Sequence, residues 1–549
     1  MKKLLLLFST LPILASAQYR SQVWSPDNGD GTYTNPVINA DYSDPDVCVG
    51  PNGDYYMTAS SFSSIPGLPI LHSRDLVNWR IVGHALSKLT PEEDFNKTSH
   101  GNGVWAPSIR DHAGEYYIYW GDPDRGCYMV KTKDPAGKWD DPILVFAGKG
   151  VIDTTPLWDE DGRCYLVNGW AGSRAGFKSV LSVRELTPDG TSAISNPVIV
   201  FDGNNAHRTV EGPKFYKHDG YYWIFAPAGG VPTGWQLAMR SKSPYGPYEH
   251  KIVLAQGNTQ VNGPHQGGWV RTPQGEDWFL HFQDKGPYGR VVHLQPVHWT
   301  KGWPVMGEDK DGDLCGDPVN KYKKPSTGGE KIIIENPVES DEFNDVKLGL
   351  QWQWSANYNQ SYGQPTPYGF YRLYTRKQSK DFVNLWEAPN LLLQKTPADA
   401  FVATTHLTFA AKKEGQYTGL IMMGLDYSAL VIKRVGDEFQ LQQITCKSAD
   451  KGKPETVKVL ATLKPSDSDP VNYDPALYRD IYLRLTVKEG AVMTFAYSLN
   501  GKKFITVGDE FKMREGKWIG AKFGYLAEEP YGKGITGFVN IDWMRVTKK

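Results

Sequence analysis

The sequence predicts an all-β protein, a five-bladed β-propeller followed by a β-sandwich of the jelly-roll kind. Three observations carry that expectation. A short aromatic strand behind a tight turn recurs five times in the first half of the chain. A polar, Pro- and Gly-rich break at 321–330 ends the pattern, and beyond it the chain is again strand-like but without the repeat. Aromatic residues are abundant, with 18 Trp and 30 Tyr, which suits β cores and grooves that stack against sugar rings.

Taken from the N-terminus, the first element stands outside the fold. Lys2-Lys3, the apolar run from Leu4 to Leu14, and Ala15-Ser16-Ala17 follow the order of a secretory signal peptide, 1–17. That run is too short to cross a bilayer, and no later stretch is long and apolar enough. An exported protein of bacterial type, periplasmic or secreted and without membrane insertion, is therefore expected. With 60 Lys+Arg against 61 Asp+Glu, no basic face for nucleic acid is indicated. Cys48, Cys127, Cys164, Cys315 and Cys446 are scattered and contain no CxxC pair. This argues against a disulfide framework or zinc site and for buried free thiols.

The propeller is expected at 30–322. Its five cassettes are marked by Tyr55, Tyr116, Cys164, Tyr221 and Trp278, spaced 61, 48, 57 and 57 residues apart. Each marker opens a strand behind a turn that contains Gly or Asp, such as Asp219-Gly220 before Tyr221-Tyr222-Trp223-Ile224-Phe225. Turn-separated strands at a period near 50 are the pattern of propeller blades. Counting back from the markers, Asp44, Trp105 and Asp153 each lie 11 residues upstream, Glu211 lies 10 and His265 lies 13. Each has a proline nearby. Equivalent positions in blades surround one axis, so the first strand of each blade should deliver one functional side chain to a common central face.

Three of those five residues are acids. A charge brought near an axis is costly unless it is used. Two carboxyls flanking a glycosidic bond can cleave it, one as proton donor and one as base or nucleophile. A third nearby raises the donor's pKa by repulsion. Taken singly, Asp44 in Ser43-Asp44-Pro45-Asp46 reads equally as a turn residue, and Asp153 before Thr154-Thr155 as an Asx-turn. Glu308-Asp309-Lys310-Asp311-Gly312-Asp313 opens like a calcium loop, but its Gly comes too early and Asn320 stands where a closing Glu is needed, so a surface turn is expected.

The motif residues are similar to those of glycoside hydrolase family 43. They are Asn35-Pro36 through Asp44-Pro45-Asp46, Gly103-Val104-Trp105-Ala106-Pro107, Ile152-Asp153 with Pro156, and Glu211-Gly212-Pro213. Gly263-Pro264-His265 and Gly289-Arg290 through Pro296 resemble its xylosidase and arabinofuranosidase branch, and the likeness covers about 33–320. It implies inversion of the anomeric centre, with Asp44 as general base, Glu211 as general acid and Asp153 as the residue that orients the acid and tunes its pKa. Trp105 would then wall the sugar site and Arg290 would bind sugar hydroxyls. His265 is expected with them as a substrate-binding residue; it resembles a residue of the propeller centre that in some members lies beside a metal ion. No cofactor is required by this reading, and a structural Ca2+ is compatible with it. Family members usually carry Asp-Pro at the third acid, whereas Thr154 follows Asp153 here.

The second domain is expected at 331–549. Runs such as Phe401–Phe409, Gly419–Gly424, Ser428–Lys433 and Ile481–Val487 alternate or form short apolar blocks, as in a sandwich. Asp341-Glu342-Phe343, Leu350 to Trp354 and Phe538 to Trp543 resemble the C-terminal domain of the family's exo-acting members, in which a sandwich loop narrows the pocket. The segment 525–531 is the candidate loop; a purely structural brace is the alternative. The expected activity is release of terminal α-L-arabinofuranosyl residues from plant cell-wall polysaccharides or oligosaccharides, with a β-D-xylosidase as the alternative. A retaining fructan hydrolase would need motifs that are absent. A non-catalytic sugar-binding propeller would have no use for a proton donor.

Overall fold

The computed structural model describes residues 19–466, 476–532 and 534–549, so the leader expected at 1–17 lies outside the described residues. Five four-stranded antiparallel sheets, each built from contiguous chain, occupy 46–86, 105–147, 151–202, 214–254 and 265–306. These are blades 1 to 5. Blade 4 shows the pattern: strands Lys214–His218, Tyr221–Ala228, Trp235–Ser241 and Glu249–Leu254 pair in sequence order. Its first hairpin turns through Asp219 (φ 50°) and Gly220 (φ 69°). Two consecutive left-handed residues give a turn whose twist matches that of the flanking strands. Ala113 and Gly114 do the same in blade 2.

The aromatic strands of the cassettes fill the spaces between blades. Tyr55 and Met57 pack with Trp278, Leu280 and Leu294 between blades 1 and 5. Ile70, Ile118 and Trp120 pack between blades 1 and 2. Tyr119, Cys127 and Cys164 lie between blades 2 and 3, and Tyr165, Phe215 and Ile224 between blades 3 and 4. Trp223, Phe225 and Phe279 fill the space between blades 4 and 5. The core is thus a ring of apolar layers, which leaves the axis itself to polar groups. The ring is tied by a separate ribbon, Thr32–Thr34 paired antiparallel with Lys321–Lys323. The first residues of the expected linker therefore belong to this clasp. Cys48, Cys127, Cys164 and Cys446 are buried free thiols, and Cys315 is half-buried.

Beyond the clasp, an eight-stranded and a seven-stranded sheet face one another around a core that includes Leu420, Leu430, Phe523, Leu407, Leu483 and Val539. The strand Phe401–Ala411 alternates buried and half-buried residues over most of its length. That is what one face on the core requires. The sandwich docks on the propeller through backbone as well as side chains. Ile65 and Trp354 form an antiparallel bridge, and the Asn357 side chain caps the Leu89 N–H and C=O at 2.8 and 2.9 Å. Among the described residues, no helix is long and apolar enough to cross a membrane.

On the outer face of the seven-stranded sheet, His406 joins Asp480 (2.8 Å) and Asp542 (2.9 Å) from two neighbouring strands. Burial opposes its charge, but the hydrogen bonds to the two carboxylates prevail and raise its pKa. Such a cation stabilises the fold fully below the unfolded value, about 6.5. The contribution fades as pH rises through the higher folded value. Urea unfolding of the protein and of His406→Gln should differ most below about pH 6 and converge in alkali; a gap that stays constant with pH would count against the paired cation.

Candidate active site

Each blade enters its first strand through one residue in the left-handed region: Asp44 (φ 55°), Ala106 (36°), Asp153 (58°), Gly212 (58°) and Gln266 (38°). In blades 2, 3 and 5 this kink coincides with a slip of strand register, between Trp105 and Ser108, Ile152 and Thr155, and His265 and Gly267. A bulge of this kind turns a side chain out of the pleat. In blades 1 and 3 the kinked residue is itself the acid. In blades 2, 4 and 5 the residue before the kink is Trp105, Glu211 or His265. Asp44 and Glu211 therefore precede the first strands Asp46–Val49 and Lys214–His218 rather than lying within them. Gly212 is required on two counts: its φ is positive, and a Cβ there would lie 2.5 Å from the Gln266 side chain.

These kinks bring Asp44, Trp105, Asp153 and Glu211 around one cavity of about 140 Å³, together with Phe62, Arg290 and Trp518. Ser43 Oγ and Ser60 Oγ donate to Asp44 Oδ2 at 2.8 and 2.6 Å. Arg290 Nη1 lies 3.4 Å from Asp44 Oδ1 and donates to Ser43 Oγ at 2.7 Å. Ser60 Oγ in turn accepts from Ala106 N, 2.7 Å, which locks blade 2 to the Asp44 site. Asp153 Oδ2 accepts from Gly212 N at 2.7 Å, the amide that follows Glu211. Burial, and next the charges of Glu211 and Asp44, push the Asp153 carboxyl up to about 8, against the Gly212 hydrogen bond.

The sides of the cavity differ in kind. Asp44 and Asp153 are 6% and 4% exposed, whereas the Glu211 side chain keeps 29% of its surface open. Trp105 donates its indole N–H to Gly101 O (2.9 Å) and stands edge-to-face with Phe62 and Trp518, both 6.2 Å away. Trp518 comes from the sandwich. It sits in the loop between strands Ile505–Lys512 and Lys522–Glu529, not in the segment 525–531 that the sequence suggests. Tyr525 lies in the middle of the eight-stranded sheet, 1% exposed, with its hydroxyl 2.8 Å from Thr405 Oγ1 in the sandwich core. A second cavity, about 470 Å³, adjoins the first through Val231, Arg290 and Trp518 and extends between the domains past Asn262, Asp284 and Glu515.

His265 is the expected residue whose place differs most. It does not line the cavity; it is fully buried behind Glu211, with Nε2 3.1 Å from Glu211 Oε1. The kink at Gln266 sends the next side chain into the cavity instead, with its Nε2 buried and free of protein partners. As a metal ligand His265 could offer only Nδ1, a buried atom without a partner. A calcium ion takes six to eight oxygens, and among the described residues three acidic or His/Cys ligand atoms converge only at Asp309, Asp311 and Asp313. There the carboxylates accept the amides of Gly312, Leu314, Asp313 and Cys315, the surface turn that the sequence indicates.

Sequence reasoning passed over Lys214. It is fully buried, with Nζ 2.8 Å from Pro107 O. Burial lowers its pKa, while the charges of Asp46, Asp153 and Asp44 oppose that. Asp46, also fully buried, pairs with Arg110 at 2.6 Å. A charged residue on the inward side of a strand three positions after an acid was the available signal. Together these groups make a site with a supported carboxylate in blade 1 and an open carboxyl in blade 4. Blade 5 stands between them on one side of the ring and blades 2 and 3 on the other.

Propeller, sandwich and acids together define a glycoside hydrolase. The model for glycosyl hydrolases family 43 matches residues 33–304, and that for the beta xylosidase C-terminal concanavalin A-like domain matches 340–547. The chain is 35% identical over 504 residues to a putative beta-xylosidase of Xylanibacter ruminicola, covering 91% of this chain and 87% of the relative. A beta-xylosidase of Formosa agariphila is 31% identical, with 96% and 92% covered. A non-reducing end alpha-L-arabinofuranosidase of Bacteroides ovatus is 31% identical, with 76% and 79% covered. The chain belongs to glycosyl hydrolase family 43.

Loss of the Asp153 proton sets an alkaline limit. Activity should fall as pH rises through about 8. Asp153→Asn, which has no proton to lose there, should abolish that limb of the kcat/KM profile. An unmoved limb in the variant would separate Asp153 from the titration.

Proposed function

We propose that this glycosidase is an exo-acting, inverting pentosidase that removes terminal β-D-xylosyl units from xylo-oligosaccharides or related cell-wall polysaccharides. The observation that carries the reading is the pairing of a supported Asp44 with an open Glu211 in a cavity narrowed by Trp518. Asp44, held by Ser43, Ser60 and Arg290, takes a proton from the attacking water. Glu211 gives its proton to the leaving oxygen. Asp153 holds the backbone beside Glu211 through Gly212 and so orients the acid. The acids come from blades that are not neighbours, which supports a separation wide enough for water, roughly 6.5–9.5 Å in inverting enzymes. Trp105, Phe62 and Trp518 exclude water from the ring faces, and Arg290 and Gln266 supply hydroxyl donors.

Sequence reasoning put arabinofuranose ahead of xylose. Two relatives that cover over nine-tenths of this chain are named a putative beta-xylosidase and a beta-xylosidase, which favours reversing that order. The Bacteroides ovatus relative keeps terminal α-L-arabinofuranose as the second reading. Action outside the cytoplasm, following from the leader-like residues 1–17, is part of the proposal; detection of the mature chain beginning at Gln18 in the periplasm or medium tests it.

Nitrophenyl β-D-xyloside should be hydrolysed faster than the α-L-arabinofuranoside, and release from neither would sink the pentosidase reading. NMR of the first product should show the inverted anomer; retention would make Asp44 a nucleophile instead. Glu211→Gln should lower kcat on xylobiose by about 10³-fold or more, and far less on an activated aryl leaving group that needs no proton.

A further inference from the structure

Asp41, three residues before the general base, is 2% exposed and outside the chemistry described above. Its carboxylate is divided between the two domains. Oδ1 accepts from Arg290 N (2.9 Å), at the start of the strand that carries the arginine of the site. Oδ2 accepts from Gly520 N (3.2 Å), two residues after Trp518. The contact is made at close range by glycines. A Cβ on Gly289 would lie 2.5 Å from Asp41 Cβ, and one on Gly520 would lie 2.7 Å from Gly289 N. Ala521 N adds a hydrogen bond to Pro287 O, 2.8 Å. The Trp518 loop is therefore hung on the propeller at residues 287–290 and at Asp41, while its own turn is closed by Gly516 N to Ile519 O, 2.8 Å.

Two sandwich lysines lie nearby, Lys395 half-buried and Lys522 buried. Lys395 Nζ donates to Asp41 O, and Lys522 Nζ to Ser64 Oγ (2.8 Å) and Gln353 Oε1 (2.9 Å). Burial depresses the pKa of both; Lys395 adds to the depression at Lys522, and the Asp41 charge opposes it at each. A carboxylate that accepts one backbone donor from each domain, on a residue whose own carbonyl accepts from Lys395, is held more firmly than a lone loop hydrogen bond would hold it.

We propose that Asp41 is a positioning residue for catalysis, fixing the Arg290 strand of the propeller and the Trp518 loop of the sandwich in one register. The second domain thereby contributes a wall of the sugar pocket that is set from the first. Asp41 acts through Trp518 and touches no substrate. The proposal rests on the pentosidase reading only for its kinetic arm.

The test combines exchange and kinetics on the full chain. In Asp41→Asn the side-chain amide can turn one oxygen to only one of the two backbone donors. Amide exchange in a peptide covering 514–522 should speed up by at least about tenfold while the cassette strands keep their protection. On nitrophenyl xyloside KM should rise about fivefold or more, with kcat within about twofold. Gly520→Ala, which pushes the loop off Gly289 and leaves the carboxylate intact, should give the same signature. Trp518→Ala should also raise KM, and adding Asp41→Asn to it should cost less than half of its effect alone, on a logarithmic scale. Unchanged exchange at 514–522, or fully additive penalties, would overturn the proposal. If neither pentoside is cleaved, the pentosidase reading falls, and the exchange measurement still decides the role of Asp41.

Discussion

Burying carboxylates on a closed axis is the constraint from which the centre of this protein follows. Asp44, Asp46 and Asp153 are all under 10% exposed, and an isolated charge in such a place costs several kcal/mol. The chain meets that cost with cations and donors drawn from other blades. Arg290 of blade 5 reaches Asp44, Arg110 of blade 2 pairs with Asp46, and Lys214 of blade 4 is under the influence of Asp46, Asp153 and Asp44. Each of these acids takes at least one partner from another blade. The polar centre therefore exists only when the ring is closed, and the apolar layers between blades close it.

The same logic extends to the second domain. A propeller face alone would leave the pocket open beside Trp105. The sandwich supplies Trp518, and its loop is held by backbone and carboxylate contacts to Asp41, Pro287 and Gly289 rather than by apolar area. Directional contacts of this type fix an orientation where apolar packing alone would tolerate sliding. The Ile65–Trp354 bridge and the Asn357 caps serve the same end elsewhere in the interface.

Much of the fold could be read from particular residues. Asp219-Gly220 and Ala113-Gly114 announced their hairpins because few residues adopt two successive left-handed conformations. The aromatic strands behind such turns gave five copies, and five copies gave the ring. Counting back from those strands found Asp44, Asp153 and Glu211 together, because matched positions in a repeat share an environment. His265 was placed less well. Counting reaches a position but not the direction of its side chain, and one bulge at Gln266 exchanged which of two neighbours faces the cavity. Lys214 and Asp41 were passed over because a lysine or an aspartate near a turn is ordinarily a surface residue. Only their partners, 107 and 249 residues away in sequence, make them internal.

The sequence alone determined the number of blades, the three acids and the boundary after which the repeat stops. Periodicity and turn chemistry are local, and the family motifs are contiguous. Tertiary structure decided which side chains point into the pocket, which cations balance the acids and which sandwich loop lines that pocket. Those depend on left-handed kinks of single residues and on contacts between segments hundreds of residues apart, for which neither spacing nor composition leaves a trace.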